Sequence, residues 1–155
     1  MTKIIFPFIL TIFINYSVNA QNKKIYKVSK TAQEWKILLT NKQYYVLREA
    51  GTEQRNSSFL NDNYKKGIYV CAACKTPLYK SVHKYNSGSG WPAFDRAITK
   101  NIALDVDYKI GYARTELKCN TCGGHLGHLF NDGPKKTTGM RHCINGTALS
   151  FIPKK

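Results

Sequence analysis

The chain has 155 residues, 43% of them hydrophobic, with 24 Lys and Arg against 9 Asp and Glu for a formal charge of +15. That length suits one domain, and the apolar content excludes a chain too polar to build a core. Five cysteines are an odd number, so they cannot all close into internal disulfides, and at least one sulfur is left for other work.

Residues 1–20 set Lys3 ahead of an apolar run from Ile4 to Ile14 and end in Val18-Asn19-Ala20. This pattern predicts a cleaved secretory signal. Its apolar core of about 11 residues falls short of the roughly 20 that a membrane-spanning helix needs. The expectation is therefore export to a periplasm or the exterior, with no stable membrane insertion after cleavage and all five cysteines in an oxidising space. Residues 21–30 are polar and lysine-rich and read as a linker, which leaves 31–155 as the folded domain.

Thr31-Ala-Gln-Glu34 is a capping box that opens a helix, with Trp35, Leu38 and Leu39 expected as its buried stripe. A second box, Thr40-Asn-Lys-Gln43, opens another helix through Tyr44, Tyr45, Val46 and Leu47, expected to stop at Gly51. From residue 67 onward, short β-branched and aromatic runs alternate with Gly, Asn and Pro. Strands are expected at 67–71, 97–105, 110–118, 128–130 and 148–152. With no long helices between them, they predict a mainly β domain, largely antiparallel, behind short N-terminal helices.

Cys71-Ala-Ala-Cys74 and Cys119-Asn-Thr-Cys122 share one two-residue gap, which lets both sulfurs of each pair face a single point. Four thiolates suit tetrahedral zinc at about 2.3 Å. All-sulfur coordination leaves no open position, so one structural Zn2+ per chain is expected. A disulfide framework is the competing reading in an oxidising compartment.

Cys143 remains, within Gly139-Met-Arg-His-Cys-Ile-Asn145. A lone Cys is usually a small buried hydrophobe. Arg141 and His142 flank it, and His125 and His128 precede it in Gly123-Gly-His-Leu-Gly-His-Leu-Phe130. Cationic or hydrogen-bonding neighbours lower a thiol pKa and favour the nucleophilic thiolate. Asn145, two residues after Cys143 on a strand, would point to the same face and could donate to a polar substrate oxygen. In Asn86-Ser-Gly-Ser-Gly-Trp-Pro-Ala-Phe94, Trp91 and Phe94 flank a rigid Pro92; they either wall an apolar pocket or pack in the core.

Taken together these segments resemble the B-type methionine-R-sulfoxide reductases. The matching motifs are Tyr45-Val-Leu-Arg48 with Gly51-Thr-Glu53, Gly67-Ile-Tyr-Val-Cys71, Ser87 to Phe94, Arg114-Thr-Glu116, Cys119 to Asp132, and Arg141-His-Cys-Ile-Asn145. The resemblance implies two antiparallel sheets behind N-terminal helices, with zinc on Cys71, Cys74, Cys119 and Cys122. It implies thiol-dependent reduction of methionine R-sulfoxide, free or in proteins. Cys143 would be the nucleophile and His128 the acid, assisted by His125 and Asn145. Arg141 would favour the thiolate, and Trp91 with Phe94 would seat the substrate. Reduction leaves a cysteine sulfenic acid, which a second thiol must remove.

Three departures qualify what the resemblance implies. Many members carry a resolving Cys where this chain has Ser89, so an external thioredoxin-like reductant is expected. Ile110 stands where many members place a further active-site His. The segment 132–141 is one residue longer than usual, and His142 replaces an aromatic. The lysines are spread along the chain without a nucleic-acid-reading motif, so no nucleic-acid partner is expected; a monomer is.

Overall fold

The computed structural model describes residues 24–154. The expected signal at 1–20 and the first residues of the expected linker lie outside the described residues. Among the described residues, no helix is long and apolar enough to cross a membrane.

Both capping boxes form. Thr31 Oγ1 accepts from Glu34 N while Glu34 Oε2 accepts from Thr31 N at 2.7 Å, opening α1, Ala32–Leu38. Thr40 and Gln43 repeat the exchange at the start of α2, Asn41–Glu49. Trp35 and Leu39 are buried, but Leu38 is 57% exposed. Only Trp35 and its i+4 neighbour therefore share the core-facing side of this two-turn helix. Helix α2 ends one residue earlier than expected, because Ala50 takes the left-handed position at φ 51°. Gly51 is needed for space instead, since a Cβ there would lie 2.3 Å from the Tyr45 ring.

The β part is two wholly antiparallel sheets. The smaller runs β2-β1-β9, with β1 Gly67–Cys71, β2 Pro77–Lys80 and β9 Leu149–Pro153. The larger runs β3-β4-β8-β7-β6-β5. Its strands are β3 Lys84–Tyr85, β4 Ala93–Phe94, β5 Ile102–Asp107, β6 Arg114–Cys119, β7 His125–Phe130 and β8 Arg141–Ile144.

Two expected strands begin late. Residues 97–101 form a turn in which Ile98 N–H donates to Leu78 O, ahead of a 3-10 turn at Thr99–Asn101. Residues 108–113 form the β5–β6 connection, where Gly111 adopts φ 90° and donates to Tyr108 O. Both segments are rich in strand formers, and tertiary pairing overrides that propensity.

One core joins both sheets and the helices: Trp35, Val46 and Leu47, then Tyr69, Leu78, Tyr79 and Leu149, and Phe94, Leu117, Leu126 and Ile144. Phe94 stacks on Tyr79 at 4.3 Å and meets Tyr69 edge-on at 5.0 Å. Each such pair adds about 0.5–1.5 kcal/mol beyond burial. Phe94 is thus fully buried between the sheets and lines no substrate pocket, contrary to its expected role.

Candidate active site

Both Cys-x-x-Cys segments are turns that leave the end of a strand, and they are built alike. Lys75 N–H donates to Cys71 O and Gly123 N–H to Cys119 O; Cys71 N–H donates to Thr76 O and Cys119 N–H to Gly124 O. The fifth residue of each turn, Lys75 or Gly123, is left-handed. The four sulfurs lie within 4.8 Å of one another, with Cys71–Cys122 at 3.8 Å and Cys74–Cys119 at 3.5 Å. A tetrahedron of sulfurs at about 2.3 Å from a metal has edges of about 3.8 Å, so the cluster has the size and donor set of a metal site. Arg48 donates to Cys122 O at 3.0 Å and faces Cys122 Sγ at 3.7 Å, placing positive charge beside the sulfurs.

Cys143 lies elsewhere, on the larger sheet. Residues opposite each other in an antiparallel pair point to the same side. The register sets Glu116 opposite His128, His128 opposite Cys143 and Cys143 opposite Ala93, one row across four strands. His125 is an odd number of residues from His128 and would normally face the other way. Between β6 and β7 the register shifts, so that Leu117 pairs with Gly127 and Lys118 with His125, and Leu126 becomes the unpaired extra residue. That bulge turns His125 to the side of His128, with ring centroids 5.2 Å apart. Gly127 is required where β7 meets β8, because a Cβ there would lie 2.0 Å from Cys143 O.

Each histidine has a carboxylate. His125 Nδ1 donates to Glu116 Oε1 at 2.6 Å, and its buried Nε2 has no partner among the described residues. His128 Nε2 donates to Asp107 Oδ2 at 2.8 Å, which leaves Nδ1 as the acceptor nitrogen of a neutral ring. Burial holds His128 below the ordinary imidazole pKa. The Lys109 N–H, with His128 and Arg114, holds Asp107 at about 2.

A cavity of about 140 Å³ opens over this row, lined by Thr52, Trp91, Arg114, Gly127, His128, Phe130, Cys143 and Asn145. Phe130 supplies the aromatic wall that was expected of Phe94. Trp91 is fixed by donating Nε1–H to Glu53 O at 3.2 Å. Asn145 follows the end of β8 and does not lie on it: Nδ2 donates to Leu126 O at 3.1 Å and Oδ1 accepts from Glu53 N at 2.9 Å. The Glu53 carboxylate accepts from Gly146 N, Thr147 N and Thr147 Oγ1. Glu53 therefore ties Trp91, Asn145 and the turn after Cys143 together. Thr52, Glu53, Arg114 and Glu116 lie within the family-like motifs but carry no role legible from the sequence, and Asp107 lies outside those motifs altogether.

Arg141 makes a bidentate pair with Asp132 at 2.8 Å to each oxygen and stacks over Phe130 at 4.4 Å. It lowers the Cys143 pKa only in part. Burial is the largest influence and pushes the thiol up; the Ser89 hydroxyl and Arg141 oppose it. Arg141 thus favours the thiolate, the direction expected, while burial outweighs it and leaves the thiol pKa above its ordinary value. His142 points to the opposite face, edge-on to Tyr79 at 5.6 Å, and burial lowers its pKa to about 4. The 132–141 loop closes on itself through Gly133 N to Gly139 O at 2.9 Å, with the Asp132–Arg141 pair at its base.

Fold and site define a small cysteine-dependent β domain in which one sulfur faces a buried histidine and four others form a separate metal-type cluster. More particularly, the SelR domain family matches residues 39–153, and the chain belongs to that family. It is 48% identical over 123 residues to the probable methionine-R-sulfoxide reductase B of Caenorhabditis elegans, covering 78% of this chain and 81% of that protein. It is 48% identical over 127 residues to the peptide methionine sulfoxide reductase MsrB of Leptospira interrogans, covering 81% and 96%. To the MsrB of Leifsonia xyli it is 44% identical over 130 residues, covering 83% and 94%.

Proposed function

We propose that this chain reduces methionine R-sulfoxide, free or in proteins, to methionine through Cys143, and so repairs oxidised methionine. The observation that carries the reading is the cross-strand pairing of Cys143 with His128 beneath a small aromatic-walled pocket, in a member of the SelR family. The relatives' names support the choice of substrate.

Chemistry follows from the resting protonation states. The Cys143 thiol lies directly across from a neutral His128. As the sulfur attacks the sulfoxide sulfur, His128 takes the thiol proton and delivers it to the sulfoxide oxygen. Asp107 stabilises the transient imidazolium. The attack forms a bond between the two sulfurs; that bond and the S–O bond then break as the hydroxyl passes to the Cys143 sulfur, so methionine leaves with its sulfur two electrons reduced and Cys143, two electrons oxidised, remains as sulfenic acid. Trp91 and Phe130 seat the methyl end of the substrate.

Ser89 Oγ lies 3.9 Å from Cys143 Sγ, and the other four sulfurs are gathered in the cluster. An external thioredoxin-like dithiol therefore returns Cys143 to the thiol, releasing water and leaving as a disulfide. Zinc is the ion proposed for Cys71, Cys74, Cys119 and Cys122, where it supplies only cross-linking. The protein is proposed to work as an exported monomer, in a periplasm or outside the cell.

Reduction assays with each epimer of N-acetylmethionine sulfoxide and dithiothreitol test the reading. The R form should be consumed and the S form spared, and Cys143→Ser should reduce neither while keeping its metal. Wild-type protein inactive on both epimers would refute it.

A further inference from the structure

The pocket is smaller than the about 300–1,000 Å³ of sites that enclose a drug-sized ligand. It admits one unbranched side chain, so the remainder of a polypeptide substrate must lie on its rim. One part of that rim is unusual. The β5–β6 connection, residues 108–113, runs between Asp107, which holds His128, and Arg114, which lines the pocket. It carries Tyr108, Ile110 and Tyr112, which are 69%, 50% and 61% exposed. Three large apolar side chains standing in water within five residues mark a contact surface.

The connection is also held in place. Lys109 Nζ donates to Ala50 O at 3.0 Å and to Glu49 O at 3.3 Å, at the end of α2. Two residues further on, Thr52 enters the pocket. Lys109 N–H donates to Asp107 Oδ1 at 2.7 Å, and Gly111 N–H closes a turn onto Tyr108 O at 3.0 Å. The backbone of the connection is therefore tied to the end of α2 and to Asp107 before substrate arrives, so docking on it orders little additional backbone.

Resting on the proposed reductase activity, we infer that Tyr108 and Tyr112 form a docking lip for the chain flanking the oxidised methionine, selecting extended polypeptide with apolar or aromatic neighbours. The occupant is set by continuity with the pocket: whatever segment places a side chain against Cys143 must cross the rim. Tyrosine suits the task, because it offers a large amphipathic surface at low entropic cost.

Three R-sulfoxide substrates, assayed with dithiothreitol, test this: N-acetylmethionine R-sulfoxide and two unstructured ten-residue peptides, one flanking the oxidised methionine with Leu and Phe, the other with Ser and Gly. Wild-type protein should show kcat/KM about tenfold higher on the apolar-flanked peptide than on the Ser/Gly peptide. Tyr108→Ser/Tyr112→Ser should bring the two peptides within twofold of each other through a rise in KM, with turnover of N-acetylmethionine R-sulfoxide within twofold of wild type. Tyr108→Ser alone should lose about threefold of the preference, which covers a double variant that folds poorly. An equal loss on all three substrates would make the lip mere support for the pocket and overturn the inference. So would wild-type indifference to flanking residues, or a preference that survives the double variant. Activity of wild type on N-acetylmethionine R-sulfoxide separates these failures from failure of the reductase reading itself.

Discussion

The four clustered cysteines and Cys143 show two ways a protein commits a sulfur. In the cluster, two turns of identical hydrogen bonding each bring a pair of sulfurs together, and Arg48 sets positive charge beside them. Cys143 stands within a strand opposite His128, mostly buried, its thiol pushed up by the loss of water. The clustered set is encoded locally, in a spacing that repeats. The single one is encoded by register opposite His128, with a glycine at 127 that lets β8 approach and a bulge at Leu126 that turns His125 to the same side, neither of which a local pattern announces.

The contrast breaks most visibly in the cluster. Cys119→Ser should lose the metal and, because metal binding is coupled to folding, much of the cooperative thermal transition. Metal content and a melting scan read both, and Cys143→Ser serves as the control that retains each. A Cys119→Ser protein with its full metal and an unmoved transition would show the cluster to be dispensable.

His128→Gln should leave metal and melting unchanged while kcat falls about 10²–10⁴-fold, the range expected for a lost proton-transfer group. A drop of less than threefold would remove His128 from the proton path.

Alkylation sharpens the comparison with a smaller effect. Cys143 is raised above the ordinary thiol value of 9.0, so in the resting protein its iodoacetamide reaction should climb with pH through a midpoint above 9.0. The sign is that of a thiol whose charged form is disfavoured by burial: thiolate is scarce at neutral pH and accumulates only above the raised value. A midpoint well below 9.0 would mean that Arg141 and Ser89 outweigh burial.

Much of this is legible in the sequence alone. Both capping boxes, the strand at 67–71 and the paired cysteines follow from short, self-sufficient signals. What escaped depends on contacts distant in sequence. Leu38 and Leu39 are equally apolar, and only the docking of α1 decides that Leu39 is buried. Phe94 and Phe130 are both aromatic, yet β4 turns one between the sheets while β7 carries the other to the pocket. The strands β2, β3 and β4 are two to four residues long, too short to show alternation. Asp107 and Glu53 act by hydrogen bonds to residues 21 and 92 positions away, which no spacing rule reaches.

Under the proposed function the five cysteine sulfurs divide their labour: Cys143 reacts and the other four hold the metal-type cluster. Treating reduced protein with one equivalent of N-acetylmethionine R-sulfoxide, without reductant, and mapping every cysteine by mass spectrometry after dimedone trapping tests it directly. The expected result is one sulfenic acid, on Cys143, with no internal disulfide and no metal released. A bridge from Cys143 to Cys71, Cys74, Cys119 or Cys122, with the metal set free, would contradict it.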